Sequence, residues 1–218
     1  MPSTLKNIAP SIALAGFLSV VVSTGLAGCT LGEPEDSSRD DTVEVSSTET
    51  QEYVAASAEG PAQNVPKPVL PDAVRENTVD GAKATVEYFW AAVDYGRMTG
   101  DTQHAAQVAH YVCESCNQLI YKWEKIYEDN AWADLHEATE ITVLEVQENF
   151  DAEREEDWTA IIFEMQEPSN DFYQDGVLDE NVSSKTQTSA GWWVEMMYDE
   201  TAQQWVIDWL DFDASLAE

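Results

Sequence analysis

Apolar residues recur along the second half of the chain with two different periods. From Asn77 the step is helical: Val79, Ala82, Val86, Phe89 or Trp90, and Val93 return every three or four residues. This predicts a first helix with one face on a core. Asn77 or Thr78 can accept backbone N–H groups at its start, Asp80 adds negative charge to the first turn, and Gly100 ends it. Asp101 can then cap a short second helix, residues 102–110. A third carries the stripe Leu119, Ile120, Trp123, Ile126 and Tyr127, with Lys122, Glu124, Lys125 and Glu128 towards water. After Ala138 the period shortens to two. Ile141, Val143, Leu144 and Val146 mark a first strand, and residues 158–165, 192–198 and 205–210 mark three more. The charged run 151–157 reads as a turn between the first two, and residues 167–184 as a longer connection. Helices followed by strands predict an α+β domain: three N-terminal helices packed on a curved, mainly antiparallel four-stranded sheet, cone-like in shape.

The N-terminal third has neither period. One cation, Lys6, precedes an apolar stretch, residues 8–22, interrupted by Pro10 and small residues, as in an export signal that is cut. The stretch ends in Leu26-Ala27-Gly28-Cys29, which resembles the lipobox of bacterial lipoproteins. That resemblance implies a lipidated Cys29 as the new N-terminus, with acyl chains holding the protein on a bilayer. Residues 30–70 are rich in Ser, Thr, Glu, Asp, Pro and Ala and poor in bulky apolar residues, so a disordered acidic tether is expected. Pro61, Pro66, Pro68 and Pro71 stiffen its end. The expected organisation is a signal peptide at 1–28, a lipidated tether at 29–70 and one α+β domain at 71–218.

Composition narrows the partners. The precursor has 10 Lys+Arg against 42 Asp+Glu, and removal of the signal takes its net charge from −32 to −33. Such a surface repels nucleic acid and anionic lipid, so membrane contact is expected through the anchor alone.

Cys113-Glu114-Ser115-Cys116 is the most chemical-looking motif. A thioredoxin-like pair should follow a strand in a βαβ unit, and this one does not. A zinc site needs two further ligands, and with Cys29 lipidated only His104, His110 and His136 remain. A structural disulfide in an exported protein, fixing the turn between the second and third helices, is the expectation. The run NTVDGAKATVEYFWAAVDYGRMTGDT, residues 77–102, followed by CESC, resembles an uncharacterised family of actinobacterial lipoproteins. The resemblance implies the lipobox, the acidic tether, the Gly100-Asp101-Thr102 turn and the paired cysteines, and brings no catalytic residues. The order of elements also resembles the cone-shaped nuclear transport factor 2-like fold.

The strands carry large residues on both faces. Trp192, Val194, Met196 and Tyr198 alternate with Trp193, Glu195, Met197 and Asp199, while Trp205, Ile207 and Trp209 alternate with Val206, Asp208 and Leu210. One face is expected to cover the core. The other needs cover from a dimer partner, a ligand, or the loop containing Phe172 and Tyr173. Trp192, Glu195, Trp205 and Trp209 are the candidate ligand-facing residues. Glu145, Glu164, Glu195 and Asp208 invite comparison with acid–base pairs, but in so acidic a chain strand carboxylates are the wet positions of an alternating strand. Asp171, Asp175, Gly176 and Asp179 lack the spacing of a calcium loop and read as a turn around Asp175-Gly176. No cofactor, metal site or catalytic residue is expected. The reading is a membrane-anchored, extracytoplasmic binding or scaffold domain for an unidentified protein or small molecule. The alternative is a small cone-fold enzyme using strand carboxylates.

Overall fold

The computed structural model describes residues 51–149 and 158–217, all within one compact unit, Thr48–Glu218. Cys29, the signal segment, the first part of the tether and the expected 151–157 turn lie outside the described residues. Helix α1 (Val79–Thr99) begins where expected, with the Thr78 hydroxyl accepting from Gly81 N at 3.1 Å. It ends at Gly100, whose φ of 77° is left-handed. A Cβ on Gly100 would stand 2.6 Å from the Tyr127 ring, so glycine also lets the helix end approach the third helix. Asp101 accepts from Gln103 N at 3.2 Å and starts α2 (Gln103–Ala106). This helix is shorter than expected because the chain leaves it to pair with a strand. Helix α3 is Glu114–Glu128.

Among the described residues seven strands follow: β1 (Ala131–Leu135), β2 (Glu140–Glu148), β3 (Trp158–Glu167), β4 (Asn170–Gln174), β5 (Val177–Leu178), β6 (Gln187–Asp199) and β7 (Gln204–Phe212). The four expected strands form an antiparallel sheet in the order β2-β3-β6-β7. Its core face carries Ile161, Phe163, Met165, Val194, Met196, Ile207 and Leu210, packed in one cluster with Val86, Phe89, Trp90 and Val93 of α1. Burying each such side chain contributes about 1.5–3 kcal/mol. Each neighbouring pair of strands contains a bulge. Leu144 is the extra residue opposite β3, Gly191 opposite β3 from the other side, and Asp208 opposite β6. Gly191 has φ 101°, a conformation that suits glycine.

A second, three-stranded antiparallel sheet, β1-β4-β5, was not expected. It occupies part of the 167–184 connection, and its β4–β5 turn is Asp175-Gly176, with φ of 52° and 77°. Phe172 joins Trp123, Ala131 and Ala133 in a separate apolar cluster, and Tyr173 stacks on Trp132 with centroids 6.1 Å apart. These two aromatics therefore belong to this sheet and do not cover the larger one.

Order also begins before the expected boundary at Pro71. Val54 bridges Gln63 and Ser57 bridges Gly60, making a strap that lies on β1. Trp132 Nε1 donates to Ser57 O at 2.9 Å, and Ala56 N donates to Asp134 Oδ1 at 3.2 Å. The strap has few apolar residues, yet it satisfies the indole N–H of a buried tryptophan, which would otherwise lose a hydrogen bond on folding. Further along, Tyr198 OH donates to Arg75 O and Trp205 Nε1 donates to Glu76 O at 2.9 Å, fastening residues 72–76 to the large sheet.

Candidate functional site: the outer face of the four-stranded sheet

Register and the three bulges decide what the face away from α1 presents. One cross-strand row is Glu145, Ile162, Trp193 and Asp211, and the next is Gln147, Ala160, Glu195 and Trp209. Ile162 and Ala160 are buried, so something lies over them. Part of the cover is a 3-10 turn, Ala214–Ala217, packed against β6 and held by Asp213 N donating to Gly191 O at 2.8 Å. Between turn and sheet runs a groove of about 240 Å³ lined by Gln147, Ala160, Ile162, Trp193, Asp213 and Leu216. Its walls are mainly apolar, with Asp213 among them, and Glu145 and Asp211 stand at the two ends of the cross-strand row that passes through Ile162 and Trp193. Hydrogen bonds from Ser215 hold the Asp213 carboxyl below the usual carboxylate range, so it is an anion at neutral pH.

The four candidate ligand-facing residues separate. Trp209 and Glu195 are direct cross-strand neighbours on the outer face, and Trp209 is 45% exposed. Trp192 lies on the core side, edge-on to Trp90 and stacked on Phe163, with its indole donating to Ser189 Oγ at 2.8 Å. Trp205 is 4% exposed and its N–H is spent on Glu76 O. Both are therefore packing residues. The bulge at Asp208 explains the split: simple alternation pairs Trp205 with Trp209, but the extra residue shifts the phase, burying Leu210 and turning Trp209 outward. Of the groove residues, Trp193 is legible from its alternation with Trp192. Ala160, Ile162, Gln147, Asp213 and Leu216 carry no signal of their own in the sequence.

Among the strand acids, Glu145, Glu164 and Glu195 share the outer face, and none is the direct cross-strand partner of another. Asp208 is carried by its bulge to the sheet edge, where it pairs with His110 Nδ1. That edge is closed by two backbone hydrogen bonds and one from a side chain. Ile207 N donates to Val108 O at 2.8 Å, His110 N to Ile207 O at 2.9 Å, and the Ser115 hydroxyl to Leu210 O. Asn117 Nδ2 donates to Cys113 O at 2.8 Å and to Tyr111 O at 3.2 Å, bracing the same loop.

Cys113 and Cys116 form a disulfide with Cα atoms 5.3 Å apart, and both residues are fully buried at the start of α3. Cys113 Sγ also accepts from Cys116 N at 3.3 Å, so the bridge caps the helix. His104 stands edge-on to Tyr95, and His136 pairs with Ser169 and Asp171. Among the described residues no group of three or more His, Cys, Asp or Glu is placed to hold a metal ion, and no helix is long and apolar enough to cross a membrane.

A second polar centre ties α1 to β2. Asp94 accepts from Thr139 N at 2.6 Å, from Thr139 Oγ1 at 2.8 Å and from Arg97 at 3.5 Å. Burial pushes its carboxyl above the usual range, against the opposing pull of these partners. The Arg97 guanidinium lies 5.5 Å from the Trp123 ring centroid.

Fold and site define a mixed α+β domain with three helices, two antiparallel sheets and a partly covered, acid- and indole-bearing sheet face. The chain belongs to the family of unknown function DUF6318, whose model matches residues 51–211. A comparison with curated proteins finds no match. Among solved structures the chain is similar to the crystal structure of the intermembrane space region of chloroplast protein ARC6. The TM-score is 0.44 at 10% sequence identity, over 66% of this chain and 99% of that one.

Proposed function

We propose that this protein is a lipoprotein anchored through Cys29 on the outer face of the cytoplasmic membrane, as in the actinobacterial family it resembles. Its folded domain is a non-enzymatic binding module that uses the outer face of the four-stranded sheet. The carrying observation is the groove beside Trp193, with Trp209 exposed nearby, on a rigid antiparallel scaffold. The three bulges bend the sheet and support the concave, cone-like form expected from the order of elements. The buried disulfide fits an oxidising compartment.

Two experiments test the two halves of the reading. Metabolic labelling with an alkyne fatty acid is expected to mark the wild-type protein and not Cys29→Ser; equal labelling of both refutes the anchor. A photo-crosslinking amino acid at position 209, in cells, is expected to trap a discrete partner that the same probe at exposed Glu114 does not. Identical products from both positions refute the binding face.

One observation favours the alternative of a small enzyme working through a strand carboxylate, namely the half-buried His110–Asp208 pair. An enzyme of that kind predicts turnover that His110→Gln and Asp208→Asn abolish without lowering the melting temperature. A structural pair predicts the reverse.

A further inference from the structure

We propose that the outer groove docks an extended peptide segment of a partner protein bearing lysine or arginine, which sets one apolar side chain against Trp193 and Ile162 and its cations against Glu145, Asp211 and Asp213. The proposal rests on the binding-module reading above and gives it a ligand class.

Charge is the first argument. None of the four strands β2, β3, β6 and β7 contains Lys, Arg or His, whereas each contains at least two Asp or Glu. A chain this acidic has carboxylates everywhere, but here they flank an apolar groove and indole rings on a surface without a cation in its strands. An indole face attracts ammonium and guanidinium groups, and aliphatic stems of Lys and Arg cover apolar surface well, so one side-chain type satisfies all three features.

Size and precedent are the second. At about 240 Å³ the groove is smaller than the usual pocket for a drug-sized ligand, yet ample for one or two apolar side chains. The protein already places a peptide there: Leu216 forms one wall, and the backbone at Asp213 is hydrogen-bonded to Gly191 of β6. The row from Glu145 on β2 to Asp211 on β7 crosses three strand spacings, roughly 14 Å, which is about four residues of extended chain. A short basic segment therefore spans the acids at the two ends while its central side chain reaches the groove.

The test uses the mature chain with its disulfide intact and Cys29→Ser for solubility. The probes are a capped hexapeptide of alternating Lys and Leu, the same peptide with Glu for Lys, and the same with Ser for Leu. Binding is followed by calorimetry and by tryptophan fluorescence at 0.15 M NaCl. The Lys–Leu peptide is expected to bind in a saturable 1:1 manner. Either replacement peptide, and the variants Trp193→Ala and Asp211→Asn, should weaken binding at least tenfold, whereas Glu114→Gln on α3 should leave it within twofold. Leu216→Ala serves as a second groove variant that leaves the sheet intact, and it is expected to change affinity more than threefold with an unchanged melting temperature. Absence of binding, equal binding of the Lys–Leu and Lys–Ser peptides, or equal losses from Asp211→Asn and Glu114→Gln overturn the proposal. If crosslinking at position 209 traps a partner through a neutral or acidic segment, the binding-module reading stands and the basic-peptide proposal falls.

Discussion

Asp94 offers the sharpest quantitative test of how this fold is held together. Its carboxylate accepts from both Thr139 N and Thr139 Oγ1, and it faces the Arg97 guanidinium across 3.5 Å. Asp94→Ala strands two donors and a buried cation in one step. Hydrogen bonds to a charged acceptor are each worth about 1.5–3 kcal/mol, and orphaning one member of a buried pair costs about 3–5 kcal/mol. These overlap, so a total loss of about 4–5 kcal/mol is expected, or a drop of roughly 10–15 °C in Tm for a domain of this size. Asp94→Asn keeps the shape and one acceptor, and should lose about half as much.

The pH dependence separates burial from charge pairing. Because burial raises the folded pKa of Asp94 above its unfolded value, the folded state binds the proton more tightly. This group's contribution is therefore fully present below the unfolded pKa near 3.8 and declines as pH rises through the folded pKa. Each tenfold difference in proton affinity between the folded and unfolded states corresponds to about 1.4 kcal/mol. Asn does not titrate. Urea denaturation of wild type and Asp94→Asn at intervals from pH 3.5 to 7 should thus show a penalty for the substitution that shrinks with rising pH. A penalty that grows with pH would mean that Arg97 and Thr139 outweigh desolvation, and the reasoning would be refuted.

The remaining predictions concern separate sites. Gly100→Ala places a methyl group 2.6 Å from the Tyr127 ring at φ 77°, and should cost about 1–3 kcal/mol in chemical denaturation; no loss would show that the α1–α3 contact is loose. Replacing both Cys113 and Cys116 by Ser should cost about 1–3 kcal/mol, since the loop is short, and in the native wild type neither cysteine should react with a thiol reagent until the protein is unfolded and reduced. Carboxyl titration by NMR should place Asp199 below the usual Asp midpoint, because Ala202 and Thr201 N–H groups bond its charged form; a normal midpoint removes those bonds from the solution structure. With a net charge of −32, melting temperature should climb with NaCl towards the molar range, and a flat response would exclude self-repulsion as a destabilising force.

The elements legible in the sequence are those governed by local rules. Thr78 and Gly100 bracket α1 because a hydroxyl cap and a left-handed glycine act within one turn. Strands β2, β3, β6 and β7 announce themselves through β-branched and aromatic residues. The second sheet is hidden because β1 and β4 pair residues 131–135 with residues 170–174, and neither five-residue stretch alternates cleanly. Bulges obscure the site. An inserted residue such as Asp208 leaves composition unchanged, yet it reverses which side chains share a face from there onward. Trp209 faces outward because of that insertion, while Trp205, which simple alternation places on the same face, is buried. The strap is invisible for a different reason: it is held by hydrogen bonds to Trp132 and Asp134, not by apolar bulk that composition could reveal.

That strap has a mechanical meaning. A pull on the chain from its N-terminal side reaches the bridges at Val54–Gln63 and Ser57–Gly60 and the contacts to β1 before it reaches any helix or the four-stranded sheet. Those bonds would open one after another, as a seam is unstitched, releasing residues 52–71 as slack of roughly 65 Å at full extension. Only then would load arrive at Tyr198 and Trp205, whose side chains grip Arg75 and Glu76. The N-terminal strap would thus yield before the sheet face when the chain is pulled from that side.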